Sequence, residues 1–239
     1  MKLTCLIHTL ITAFALIIFT APAYAAQDAV LDFRARAGKD ARAWLSQFNI
    51  VFERGARDPD DVRLTLDADK GLVVEPLTSG QGLIALRKGH VTNYETVEIT
   101  WGVNEFPKGA SYAKGKRNEA IMLQVFFGQE HISSGSFVVP DAPYFIALHL
   151  CENDEINKPE TGRFYHKGGR FVCVAHPKPG ETVTTKFNLK QAFKEYYGFD
   201  APPLYGFIIE YDTKGAPNGG KTSAFVKKIE FPASIYMND

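Results

Sequence analysis

A dominant charge of one sign is missing from this sequence. Its 239 residues carry 27 Lys and Arg against 27 Asp and Glu, a formal net charge of zero with histidine neutral. Nucleic acid or an anionic membrane favours a partner with a basic excess. The balance argues against both and is neutral about a sugar or a protein. Cysteine is scarce, with three in the chain, and their spacing matches no zinc pattern. Beyond one stretch near the start, no apolar run is long enough to span a bilayer. Catalytic signatures are absent too. Ser134-Gly135-Ser136 is a loop rather than the strand-to-helix turn of a nucleophile elbow. Gly220-Lys221-Thr222 leads into a strand pattern, so it lacks the helix N-terminus that a phosphate loop needs. Glu152-Asn153-Asp154-Glu155 is dense in oxygen ligands but lacks the spacing of a calcium loop. No metal and no cofactor is expected.

What is present starts with a leader. Lys2, the apolar run Leu6 to Thr20 and the small-x-small triplet Ala23-Tyr24-Ala25 have the order of a signal peptide cleaved before Ala26. Cys5 precedes the apolar run and does not sit where a lipoprotein cysteine would. The expectation is a leader over residues 1–25 and one domain over 26–239, periplasmic or secreted, with no membrane span. Only Lys2 is lost with the leader, which leaves 26 basic residues against 27 acidic ones. In an oxidising compartment the remaining pair, Cys151 and Cys173, reads as a disulfide, with two buried free thiols as the alternative. Closing that loop would stabilise by about 3 kcal/mol in the chain-entropy model.

The rest of the chain has a β rhythm. Short alternating runs at Val62–Leu66, Gly71–Glu75, Leu83–Arg87 and Glu95–Val103 are separated by Asp-, Gly- and Pro-rich turns. In Glu95–Val103 the residues Val97, Ile99, Trp101 and Val103 share one face, so Trp101 reads as core. Glu119–Phe127 is apolar on one face and partly apolar on the other, as a central strand covered on both sides would be. These two strands are expected at the centre of a β-sandwich, joined by the lysine-rich connection Asn104–Asn118. Strands follow at Tyr144–Cys151, Arg170–Ala175, Glu181–Asn188, Leu204–Asp212 and Ser223–Phe231, roughly eleven in all. One or two short helices are expected. One is capped by Asp40 and buries Trp44 and Leu45; the other spans Leu189 to Tyr197 and stops at Gly198.

Gly71-Leu72-Val73-Val74-Glu75, Val97-Glu98-Ile99-Thr100-Trp101-Gly102-Val103-Asn104, Phe193-Lys194-Glu195-Tyr196-Tyr197-Gly198 and Gly206-Phe207-Ile208-Ile209-Glu210-Tyr211-Asp212-Thr213 occur in that order. With Ala224 to Phe231 they resemble a bacterial exported family known only as domain of unknown function 3047, over roughly residues 50 to 232. The resemblance implies a jelly-roll-like sandwich similar to galactose-binding and carbohydrate-binding modules, and no established activity. Where the family pattern has a paired acidic step this chain has Asn118-Glu119, and a second Trp near Gly102 or Val103 is missing.

Glycoside chemistry needs two carboxyl groups facing one bond. Glu98 and Glu210 lie on the polar phases of two strands, with Asp212 two residues beyond Glu210 on the same face. If the strands are neighbours, both glutamates face one groove; otherwise they are ordinary charges on a solvated sheet. His149 falls on the face of Phe145 and Ala147, as a hydrogen-bonded core or rim residue or as a ligand contact. Tyr112, Phe137, Tyr144, Phe164 and Tyr165 sit in or beside loops and are the candidates for exposed rings that stack on sugars. The sequence thus points to an exported, non-catalytic all-β sandwich that binds a carbohydrate or an envelope component. Its ligand contacts are expected among Glu98, Glu210, Asp212, Tyr144 and His149. The alternatives are a glycan hydrolase or lyase using Glu98 and Glu210, and a structural or assembly protein of the envelope.

Overall fold

Alternation with a period of two builds nearly everything here. The computed structural model describes residues 29–86, 95–217 and 221–232. The expected leader at 1–25, Arg87, His90 and Gly220 lie outside the described residues. In chain order the elements are β1 (Ala29–Asp32), a 3-10 turn (Arg34–Arg36), α1 (Ala41–Ser46), β2 (Val51–Arg54) and a second 3-10 turn (Gly55–Arg57). Then come β3 (Val62–Asp67), β4 (Gly71–Pro76), β5 (Gln81–Leu86), β6 (Thr96–Glu105), β7 (Glu119–Ile132) and β8 (Ala142–Leu150). The chain continues with β9 (Pro159–Glu160), β10 (Gly169–Ala175), β11 (Val183–Asn188), α2 (Leu189–Tyr197), β12 (Leu204–Asp212) and β13 (Ser223–Phe231).

The strands form two sheets packed as a jelly-roll-like sandwich. A six-stranded sheet runs β11-β6-β13-β4-β3, with β1 also on β13; a seven-stranded sheet runs β2-β5-β12-β7-β8-β10-β9. Pairing is antiparallel with one correction to the expected pattern: β10 lies parallel to β8. The long connection from β8 to β10, which carries β9, supplies the crossover that a parallel pair requires. The two central strands also separate. β6 belongs to one sheet and β7 to the other, so the connection between them crosses from layer to layer.

The core is the space between the sheets. Val97, Ile99, Trp101 and Val103 of β6 meet Leu123, Val125 and Phe127 of β7 and Phe207, Ile209 and Tyr211 of β12 in one apolar cluster. Trp101 is fully buried, as its alternation predicts. The cap of α1 is as expected: the Asp40 carboxylate accepts from the Ala43 N–H at 2.8 Å. In α2 the Asn188 side chain accepts from the Gln191 N–H, and Gly198 ends the helix at φ +81°, a left-handed conformation that glycine adopts without a Cβ clash. The helix packs through Phe193, whose ring lies 4.7 Å from that of Phe127.

Candidate functional site

The side chains of β12 that point away from the core come together on the outer face of the seven-stranded sheet. The register puts Glu210 opposite Leu83 of β5 and Met122 of β7, and Met122 opposite His149 of β8. One step along, Ile208 lies opposite Ala85 and Gln124. This face has its own apolar cluster of Tyr112, Met122, Phe145 and Ala147, with Phe126, Tyr165 and Phe171 packed against it. Glu210 is buried in this setting. The Gln81 and Gln124 side-chain amides each donate to one of its carboxyl oxygens, and Arg54 donates to Gln81.

A second glutamate joins Glu210, and a bulge puts it there. Asp212 pairs with Glu119 while Glu210 pairs with Met122, so β7 spends one extra residue opposite Tyr211. Ala120 and Ile121 both enter the core, and the extra residue reverses which face Glu119 occupies. Carboxyl oxygens of Glu119, Glu210 and Asp212 consequently lie within 4.8 Å of one another. Burial pushes the Glu210 carboxyl up to about 7, against the pull of the Gln81 amide. Burial, then the charges of Glu210 and Asp212, raise Glu119 well above the usual carboxylate range. Asp212 is raised by burial and held back by the Lys214 N–H. Three acids in one dry cluster favour their protonated forms.

The connection between β6 and β7 closes over Glu119. The Tyr112 hydroxyl donates to Glu119 Oε2 at 2.7 Å, and its ring lies 4.8 Å from Phe171 and 4.7 Å from His149. Buried Asp154 holds this lid down. Its carboxylate accepts from the Ser111 hydroxyl and, at 2.6 Å, from the Tyr112 N–H. Asp154 is itself held by its loop: the carbonyl contacts His176 Nε2 at 2.7 Å, and the Cys151–Cys173 disulfide pins the start of the loop to β10. The pocket enclosed by Tyr112, Glu119, His149 and Asp154 has room for about one water molecule. Burial lowers His149 to about 4, with the Asp154 charge opposing.

The structure therefore redistributes the expected site. Glu98 and Glu210 do not face one groove. Glu98 sits on β6 in the other sheet, ion-paired to Lys186 at 2.9 Å. Asp212 and Glu210 do share a face, and His149 is on it with Phe145 and Ala147. Tyr144 turns the other way, packing on Tyr197 at 4.8 Å and Phe199 at 5.3 Å, so its ring serves the helix α2. Of the rings expected to be exposed, Phe137 is, whereas Tyr112 is 5% exposed. The disulfide Cys151–Cys173 is formed, with Cα atoms 5.8 Å apart. The acidic turn at 152–155 spends two of its three carboxylates locally, Asp154 on the lid and Glu155 on Lys158. Sequence reasoning missed Glu119, Gln81, Gln124 and Asp154. Only Glu119 had a signal, a lone acid opening a strand that is apolar on both faces.

No family model matches the chain, and no curated protein does. Similar solved structures include the xyloglucanase domain of NopAA, a type three effector from Sinorhizobium fredii, in complex with cellobiose. It is 11% identical with a TM-score of 0.34, over 66% of this chain and 80% of that one. A xylan-binding module, CBM15, is 9% identical with a TM-score of 0.32, over 86% and 95%. Trichoderma harzianum endoglucanase 3 from family GH12 is 8% identical with a TM-score of 0.36, over 70% and 80%. Scores this low carry no correspondence between individual residues.

Proposed function

We propose that the chain is an exported, non-catalytic β-sandwich protein that binds a saccharide of the cell envelope on the outer face of its seven-stranded sheet. The observation that carries this reading is the row Gln81–Glu210–Gln124. It places two amides and a carboxyl group side by side across three strands, next to the half-buried ring of Phe126. Fixed planar acceptors and donors beside an aromatic surface suit the paired hydroxyls and apolar ring face of a sugar. The disulfide and the leader-like start support export. Titration calorimetry against a panel of envelope and plant glycans tests the reading. Gln124→Ala, at a half-exposed position, is expected to weaken binding about tenfold. A mature protein that binds no saccharide in the panel sinks it.

A second reading rests on a separate observation. Glu119 and Glu210 hold carboxyl oxygens within 4.8 Å of each other, near the separation of about 5 Å used by retaining glycosidases. Here Glu119 takes the part expected of Glu98. One acid would have to be ionised and the other protonated, and the two raised carboxyls supply the protonated partner. Binding leads because the Tyr112 hydroxyl occupies Glu119 and leaves no sugar-sized opening above it. Release of reducing sugar by the wild type and its loss in Glu119→Gln and Glu210→Gln would reverse that order.

A further inference from the structure

Three metal-ligating side chains meet where the parallel pair of the seven-stranded sheet ends. Cys151 follows β8, Cys173 lies in β10, and His176 follows it. Their linear spacing hides the meeting, because the connection that carries β9 separates the two cysteines. Parallel pairing undoes that separation. Leu150 lies opposite Ala175, and the Cys151 N–H donates to the Ala175 carbonyl at 3.2 Å. His176 is brought by a bulge. The register slips between Cys173 and Ala175, and Val174 and Ala175 both pack against the core. The next residue therefore returns to the outer face that Cys173 shares with His149. The same device turns Glu119 outward on β7. Both sulfur atoms and a ring nitrogen of His176 consequently lie within 4.8 Å of one another.

A disulfide has no need of the histidine. Cys151 and Cys173 are buried and bonded, whereas His176 is exposed. Its Nε2 lies 2.7 Å from the Asp154 carbonyl. A carbonyl only accepts, so Nε2 carries the proton and Nδ1 holds the lone pair of the ring. A metal-ligating imidazole is set in this way, with its second nitrogen donating to a backbone carbonyl. The Asp154 carboxylate meanwhile holds Ser111 and Tyr112. The loop that latches the lid is thus tied beside β10 twice, at Cys151 by the disulfide and at Asp154 by His176. Two thiolates and an imidazole, with a fourth position open to water, suit a borderline-soft ion such as Zn2+. Tetrahedral zinc needs its two sulfurs about 3.8 Å apart. With the Cα atoms 5.8 Å apart, rotation about the Cα–Cβ bonds supplies that separation.

We propose that Cys151, Cys173 and His176 are a zinc site that the disulfide closes. Oxidised, the cysteines pair; reduced, they and His176 hold a Zn2+ ion that takes over as the clamp on loop 151–158. A dithiol reductant balances the interconversion. Its thiolate attacks one sulfur of the pair and forms a mixed disulfide. Its second thiol then closes the reductant's own disulfide, and Cys151 and Cys173 are released as thiols. Zn2+ displaces both thiol protons when it binds. The loop is exposed at 152, 153 and 155–158, which together with exposed His176 gives both reagents their approach. The site is independent of saccharide binding on the sheet face.

Metal titration tests it. The full chain, purified after export, is reduced with dithiothreitol, which is then removed without air. Zn2+ is titrated in competition with a chromophoric chelator, and Co2+ serves as a spectroscopic stand-in. The reduced chain is expected to take up a single Zn2+ and to show thiolate-to-cobalt absorption; the oxidised chain is expected to do neither. His176→Ala leaves the disulfide in place at an exposed position and is expected to weaken zinc binding by about tenfold or more. Cys151→Ser with Cys173→Ser is expected to abolish it. Hydrogen exchange at the Tyr112 N–H reads the clamp. Protection is expected to fall on reduction and to return with Zn2+, while circular dichroism follows the fold as a whole. No zinc uptake by the reduced chain overturns the proposal. Uptake that is equal in the oxidised chain or in His176→Ala does so too, since the ion then sits elsewhere. So does Tyr112 protection that ignores reduction or does not return with zinc, and so does a reduced chain that unfolds and that zinc fails to refold.

Discussion

The two outer faces of the sandwich come from the same alternating pattern and have opposite chemistry. On the six-stranded sheet the outward residues are half-exposed and paired across strands. Across strands, Glu98 meets Lys186 and the Thr100 and Thr184 hydroxyls lie 3.0 Å apart; along β13, Lys228 meets Glu230. On the seven-stranded sheet the outward residues include Glu119, Glu210 and His149, all buried. Strand composition does not make this difference. Loops do, because 106–118 and 151–158 fold over the second face and take its carboxyl groups out of water. Burial then changes what an acid is: on one face a charge, on the other a proton carrier with its affinity shifted upward.

Removing the cover should cost most. Replacing Cys151 and Cys173 by alanine frees a closed loop of sequence separation 22, with an expected loss of about 3 kcal/mol in guanidinium unfolding. Asp154→Ala is expected to cost about 2 kcal/mol, because it leaves the buried Tyr112 N–H and Ser111 hydroxyl without their acceptor. A loss below about 0.5 kcal/mol for Asp154→Ala, the size of an ordinary surface change, would mean that the second face is not held closed by this latch.

The next effect is on pH dependence, where the buried groups pull in opposite directions. Glu210 and Glu119 bind protons more tightly in the folded protein than unfolded. Their contribution is complete below the unfolded carboxyl value of about 4.3 and is lost as pH rises through the folded value near 7 for Glu210. His149 is lowered to about 4. Its contribution is complete above the unfolded value of about 6.5 and is lost as pH falls toward 4. The two slopes offset each other between roughly pH 4.5 and 6.5, and above that only the carboxyl loss remains. Denaturation midpoints should therefore drop from pH 6.5 to pH 8. Glu210→Gln should flatten that drop, while His149→Phe should leave it and steepen the net fall of stability with rising pH below 6.5. A drop of unchanged size in Glu210→Gln would show that the acid cluster does not carry it.

Most strands were legible because their apolar faces are regular. Leu204–Asp212, Ser223–Phe231 and the helix Leu189–Tyr197 have the bounds that alternation, helical spacing and Gly198 imply. Those patterns report which residues meet the core. They do not report which strands become neighbours, and so Glu98 was matched with Glu210 across two different sheets. The face that Glu119 occupies was illegible for a local reason. Counting by twos from Ile121 and Leu123 assigns it to the core face, and one bulge residue reverses the phase. Tyr112 and Asp154 lie in loops, where position is set by a few long-range hydrogen bonds that no period encodes. Short strands β1 and β9 escaped because four and two residues are too few to show alternation.

The smallest expected effect is the sharpest test of the contrast. Glu98 and Lys186 form a clean 2.9 Å ion pair on the open face, with side chains 29% and 65% exposed. Water and salt screen such a pair, and holding two long side chains together costs rotamer entropy. A double-mutant cycle with Glu98→Gln and Lys186→Met should give a coupling of about 0.5 kcal/mol or less, shrinking further in 0.5 M salt. The acid that looked equivalent to Glu210 in sequence would then be nearly silent in stability and ligand binding. A coupling above about 1.5 kcal/mol would erase the distinction between the faces, because solvent exposure would no longer predict what a glutamate on this sandwich does.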